Sequence, residues 1–187
     1  MKKRLIFLFF LSFNVLVSGQ ENPESYKEIN DSLVISHYSK YKIDIPDSWF
    51  SYITDPGLVA HSPIEFKDKL KPNDSSVGFI IWKNVFKRKT LEKSLKSFLL
   101  RSKDIHPRFK YKLLEAKHKL YGKYYIVKYG INRKEGLEIV MTCILNWKKQ
   151  NYTFFYSSLE ADFDTYLEDA IAMINSFKIK EPIQIQE

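Results

Sequence analysis

The sequence predicts an α+β domain built on an antiparallel β-sheet, and three observations point there. Four alternating stretches, 111–120, 123–132, 137–147 and 152–157, follow one another with only hairpin-length breaks, which predicts antiparallel neighbours. Two stretches with apolar residues at helical spacing, 90–102 and from Ala161 onward, flank this meander. Composition supplies the third: at 44% hydrophobic and 16% aromatic residues, one domain's length of chain can bury a core without cross-links.

The chain opens on Lys2-Lys3-Arg4, an apolar run from Leu5 to Val17, and the small-residue exit Val17-Ser18-Gly19. The run is about 13 residues, short of the roughly 20 a spanning helix needs, so residues 1–19 read as a cleaved export signal. Cleavage after Gly19 would leave Gln20 at the mature N-terminus and about 168 residues of protein. The single cysteine, Cys143, lies far from the cleavage site. That disfavours a lipid anchor and predicts a soluble exported protein, periplasmic or extracellular, without an internal disulfide. No second stretch reaches membrane-spanning length.

Residues 20–36 are polar and carry Pro23, which predicts a flexible lead. The domain is expected over 37–180, with a loose tail at 181–187. Tyr41 to Pro46 alternates apolar with polar and stops at proline, the pattern of a half-buried strand, and Trp49 and Phe50 are expected to anchor the turn after it. Leu58–His61 and Ser76–Trp82 are the next expected strands, the second covered on both faces. Thr90 can cap a helix through about Ser102 with Leu91, Leu95, Phe98 and Leu99 inward, and Pro107 forbids its continuation. After the meander, Ser157 and Glu160 stand at capping-box spacing before a helix whose expected inner stripe is Phe163, Tyr166, Leu167, Ala170, Ile171 and Ile174. Ser176 to Ile179 closes the domain as an extended segment.

Both ends of this domain resemble the PsbP/Mog1-like superfamily. The opening reads Tyr41-x-Ile43-x-Ile45-Pro46-x-x-Trp49. The close has Tyr152-x-Phe154-x-Tyr156, a helix with Phe163-x-x-Tyr166, then Ile174-x-Ser176-Phe177. The resemblance covers about residues 37 to 180 and implies that family's fold, an antiparallel sheet sandwiched between helices, with Trp49 and Ser176-Phe177 packing as core. Photosystem, nuclear-transport and secretion-chaperone members share the fold with different partners, acting mostly by binding, so the resemblance does not transfer a function.

Chemistry-bearing residues form no recognisable constellation. His37, His61, His106 and His118 have no second ligand at metal-site spacing and read as surface residues; His61 with Glu65, across Pro63, comes nearest to a site. Cys143 lies in a run, Leu137 to Trp147, whose odd positions are all apolar, and reads as a buried inert thiol. Asp162, Asp164, Glu168 and Asp169 read as acids favouring a helix N-terminus rather than as a cation site. Nucleophile elbow, phosphate loop and dinucleotide fingerprint are all missing, so no catalytic residue, metal or cofactor is expected. Asn30, Asn73 and Asn151 begin glycosylation sequons, and Asp31-Ser32-Leu33 matches a bacterial O-glycosylation pattern.

Charge is the one strong surface signal. Between Lys83 and Lys123 basic residues exceed acidic ones by about 11, whereas the chain from Ser157 onward is acidic; the total is +8, or about +5 without the signal. Lys87, Arg88, Lys89, Lys93, Lys96, Arg101, Lys110, Lys112 and Lys117 are the candidate surface for an anionic partner. Export argues against nucleic acid, although Phe86, Phe109 and Tyr111 interleave aromatics with the basic residues. The sequence thus supports an exported, non-enzymatic binding or accessory module whose partner is unknown, a protein or an anionic envelope component. Two alternatives stand beside it: an electrostatic binder of anionic envelope components, for which the lysines must share one face, and an exported hydrolase, which needs a deep pocket holding titratable groups.

Overall fold

The computed structural model describes residues 41–54, 58–69, 77–83 and 90–180. The export signal, the lead, the tail, His37, Asn30, Asn73 and the basic run Lys87–Lys89 lie outside the described residues. Strands are β1 (Tyr41–Lys42), β2 (Trp49–Thr54), β3 (Leu58–Pro63), β4 (Gly78–Lys83), β5 (Tyr111–His118), β6 (Gly122–Asn132), β7 (Leu137–Trp147), β8 (Gln150–Leu159) and β9 (Lys178–Ile179). Helices are α1 (Leu91–Ile105), α2 (Glu160–Phe163) and α3 (Leu167–Ser176), and a 3₁₀ segment spans Ile64–Lys69.

Seven strands form one fully antiparallel sheet in the order β2-β3-β4-β8-β7-β6-β5. Local connections explain most of it, because each hairpin pairs with its neighbour in sequence. The exception is the passage from β4 to β5, in which α1 carries the chain to the far edge so that the meander can return and seat β8 against β4.

Side-chain alternation then divides the core in two. On one face Phe79, Ile81, Met141, Cys143, Leu145, Phe154 and Tyr156 pack with Phe163, Ala170, Met173 and Ile174 of α2 and α3. On the other, Val127 and Ile144 pack with Phe98 of α1. The architecture is the α+β sandwich expected: helices on both faces of an antiparallel sheet.

The closing aromatic is the centre of the larger cluster. Phe177 is fully buried, with ring centroids 4.9 Å from Tyr152, 5.0 Å from Phe154 and 5.5 Å from Tyr41. Trp49 is also buried, and its indole N–H donates to the Asp169 carboxylate at 2.7 Å, which ties the opening segment to α3. Beside Phe177, β1 and β9 form a two-stranded ribbon pairing Tyr41 with Ile179 and Lys42 with Lys178. The ribbon joins the two ends of the described domain.

Several expectations are revised. The strand expected over Tyr41–Pro46 lasts two residues, because the Asp44 N–H leaves the ladder to bond Ser176 Oγ at 2.9 Å and the chain turns where Trp49 N–H reaches the Pro46 carbonyl. Trp49 and Phe50 open a strand rather than anchor a turn. On β4, Phe79 and Ile81 are buried whereas Gly78, Ile80 and Trp82 are only half-buried. Ser157 is no cap: β8 continues to Leu159, with Ser157 opposite Gly78 and Val140. The last helix is broken at Asp164–Tyr166, which rotates α3 relative to α2, so Met173 is buried and Ile171 exposed. Helix α1 agrees with expectation, its Thr90 hydroxyl accepting from Lys93 N–H at 3.3 Å.

Candidate functional site

Helix α1 crosses the α1 face of the sheet near β5, the edge strand at the far end of the sheet from β2. Its inner side is held by Phe98, while Leu91, Leu95 and Leu99 are half-buried, so the flank toward β5 stays open. An open groove of about 240 Å³ runs there, floored by Leu95, Leu99, Leu100 and Tyr111 and rimmed by Glu92, Lys96 and Lys103. The apolar exposure continues along β5, where Tyr111, Leu113 and Leu114 are 38%, 41% and 42% exposed, and up to Leu100 at 54%. Exposed leucines are uncommon on a sheet edge, and here they persist beside Lys112 and Lys117, which supply the charge that commonly blunts one.

Register places the side chains of β5. Leu113 lies opposite Val127 and Lys117 opposite Lys123, on the face that carries α1. Lys112 lies opposite Lys128, and Leu114 opposite Ile126, on the face covered by α2 and α3. Lys93, Lys96, Arg101, Lys110, Lys112 and Lys117 are all exposed, as the sequence implied, yet they do not share one plane. Lys112 and Lys117 project from opposite faces, and Lys96 and Arg101 are about 140° apart around the α1 axis. The lysines surround the edge instead of paving a face.

Two acids of this region, Glu92 and Glu115, are already engaged. Lys123 Nζ lies 3.8 Å from Glu115 and 4.0 Å from Glu92, and it donates to the Tyr125 hydroxyl at 3.0 Å. That hydrogen bond, with the nearby carboxylates, raises its pKa. Among the described residues no carboxylate lies within ion-pair reach of Lys96, Lys103, Lys110, Lys112, Lys117 or Lys119. The edge therefore carries positive charge that the described residues do not neutralise.

Other candidates are placed differently. His61 and His118 are buried, against the surface position expected of them, because each ring finds partners inside. His61 Nδ1 meets Ser51 Oγ at 2.8 Å, while Glu65 is exposed. His118 Nδ1 accepts from Leu120 N–H at 3.1 Å and its Nε2 faces the Ile174 carbonyl at 3.1 Å. His106 is exposed at the end of α1. Cys143 is buried, as expected, and burial drives its thiol pKa strongly upward. Asp162, Glu168 and Asp169 stand in the first turns of α2 and α3, and among the described residues no three His, Cys, Asp or Glu side chains gather at a metal-binding distance. Asn151 is fully buried, its side-chain oxygen accepting from Ser94 and Asn146, so the folded protein hides that sequon. Sequence reasoning missed the exposed Leu113-Leu114 pair because consecutive leucines read as core; only the sheet order makes their strand an edge.

Among the described residues no helix is long and apolar enough to cross a membrane. No protein-family model matches the sequence, and no curated protein matches it significantly. Solved structures do. The solution structure of the cyanobacterial PsbP, CyanoP, from Synechocystis sp. PCC 6803 aligns with a TM-score of 0.50 at 14% identity, over 87% of this chain and 99% of that one. PA94 of Pseudomonas aeruginosa, described as a putative regulator of unknown function, aligns at 0.46 and 11% identity over 75% of this chain and 85% of its own. LpqN of Mycobacterium tuberculosis, described as involved in cell envelope biogenesis, aligns at 0.49 and 13% identity over 75% of this chain and 83% of its own. With the strand order, the two helical layers and the near-complete coverage of CyanoP, the resemblance read from Trp49 and Ser176-Phe177 stands at the level of architecture: this chain has the PsbP/Mog1-like fold.

Proposed function

We propose that the protein is an exported, non-enzymatic binding or accessory module, acting in the periplasm or outside the cell as a soluble protein. The observation that carries the binding role is the β5 edge with its groove: exposed leucines and a tyrosine surrounded by lysines that no carboxylate among the described residues neutralises. Export is supported by Lys2-Lys3-Arg4, the apolar run to Val17 and the small residues before Gln20.

A planar anionic surface, whether lipid headgroup or polysaccharide, fits this arrangement less well than a protein does. Lysines on opposite faces of an edge strand cannot all approach one plane, whereas a partner gripping the edge meets both sets. A hydrolase reading draws no support from the groove, whose ionisable side chains are exposed at its rim.

The test is site-specific photo-crosslinking in the native host, with a crosslinking residue at Leu113 or, as control, at exposed Asn175 on α3. A discrete envelope protein captured from Leu113 but not Asn175, by a chain beginning at Gln20, is the expected result. Retention in the cytoplasm with Met1 intact would overturn the export half. Equal capture from both positions would overturn the binding half.

A further inference from the structure

We propose that the outer edge of β5 takes up an extended acidic segment of a partner protein as an added strand. The proposal deepens the binding role above by naming the mode and the chemistry of the occupant. Among the described residues no strand pairs with that edge, so eight residues from Tyr111 to His118 present alternate backbone N–H and C=O groups outward. An added strand would lie about 4.8 Å away, in the plane of the sheet. Side chains pointing to the α1 face would enter the groove beside Leu100 and Tyr111, and those pointing the other way would pass Leu114. Backbone pairing would supply affinity, and the two rows of side chains the selectivity.

Charge selects the occupant. From Lys110 to Lys119 there are four lysines against Glu115, which Lys123 already engages, and Lys96 and Lys103 add to them from the helix flank. An acidic strand places carboxylates opposite these on both faces. A second copy of this chain brings the same lysines to the seam, and like charges across a strand pair are destabilising. A helix docked in the groove would bury the apolar floor and leave the strand's hydrogen-bonding groups unused.

The probe is a fluorescent nine-residue peptide in which pairs of Glu alternate with pairs of Val, so that an extended strand carries carboxylates on both faces, blocked at both ends and titrated into the full chain. Two further versions are N-methylated on the odd or on the even amides, which keeps charge and side chains while removing one row of donors. The expected result is binding that weakens as salt rises, and is lost by about tenfold or more in one N-methyl series while the other is little changed. Exchange protection should appear at alternate amides of β5, and Leu113→Glu, on the exposed edge, should weaken binding without unfolding the protein. Equal binding by both N-methylated series would reduce the contact to charge adsorption and sink the proposal. So would protection away from β5, the same peptide with Lys in place of Glu that binds as well, no binding at all, or a concentration-dependent dimer strengthened by Lys112→Glu. A specific crosslink from Leu113 alongside any of those failures would leave the protein a binding module and reject only the strand-addition mode.

Discussion

His118 shows how a side chain that reads as surface becomes a structural commitment. Its ring closes the β5–β6 turn by accepting from Leu120 N–H, reaches the Ile174 carbonyl of α3 through Nε2, and stacks on Tyr121 at 4.8 Å. Only the neutral tautomer with its proton on Nε2 satisfies both bonds, since a second proton on Nδ1 would face the Leu120 N–H. Burial lowers the pKa below the ordinary 6.5, outweighing the Ile174 bond, which acts in the opposite direction. As pH falls, the unfolded chain binds this proton first, so the contribution is fully present above about 6.5 and declines below it. Denaturant melts at roughly pH 7.5 and 5.8 should show the parent protein losing stability at the lower value. His118→Gln should be less stable at both but lose less between them. An unchanged difference would assign the pH dependence elsewhere.

At the scale of elements, the β7–β8 hairpin holds a built-in cost. Lys148 and Lys149 have φ of 49° and 65°, left-handed at both central positions of a two-residue turn, where the strand twist favours a type I′ geometry. Each lysine gives up on the order of 1 kcal/mol to be there. Lys148→Asn with Lys149→Gly should therefore stabilise the protein by about 1 kcal/mol, raising Tm by roughly 2–4 °C. A lower Tm would mean that the lysines make compensating contacts. The sequence announced this hairpin by the polar break between two apolar runs, just as it announced α1 through Thr90 and Pro107. It concealed β2, because Trp49-Phe50 follows the Pro46-Asp47-Ser48 turn signal directly and WFSYIT shows no clean alternation, so the two aromatics read as part of the turn. It also concealed the break at Asp164–Tyr166, where no glycine or proline marks the interruption. Position in the sheet was the least legible property of all. Tyr111 to His118 mixes Leu113, Leu114 and Ala116 with Lys112, Glu115 and Lys117, a pattern that suits a half-covered inner strand as well as an edge, and only the crossover through α1 puts it on the outside, so the candidate site depends on a long-range arrangement that local pattern does not encode.

For the whole molecule, the same crossover should order the folding reaction. The β6–β7–β8 meander closes short loops, whereas β4 meets β8 across about 70–80 residues, from Gly78 opposite Ser157 to Lys83 opposite Tyr152. Ile144→Val, in β7 beneath α1, should slow folding with a φ-value above about 0.5. Ile81→Val, in β4, should mainly speed unfolding, with a φ-value below about 0.3. Each removes one buried methylene at a cost of about 1 kcal/mol, enough to read from chevron limbs. The reverse pattern would place the nucleus at the β4–β8 seam. The ribbon of β1 and β9 bears on the molecule in a mechanical sense. Tyr41 and Ile179 face each other at the ribbon's outer end, with Lys42 and Lys178 next inward. Tension applied through the flanking chain on both sides would load these pairs one after the other, as a zipper, and not together in shear. The domain is thus built to yield to pulling first at its own closure, which would bare Phe177 and the aromatic cluster around it while the seven-stranded sheet still holds.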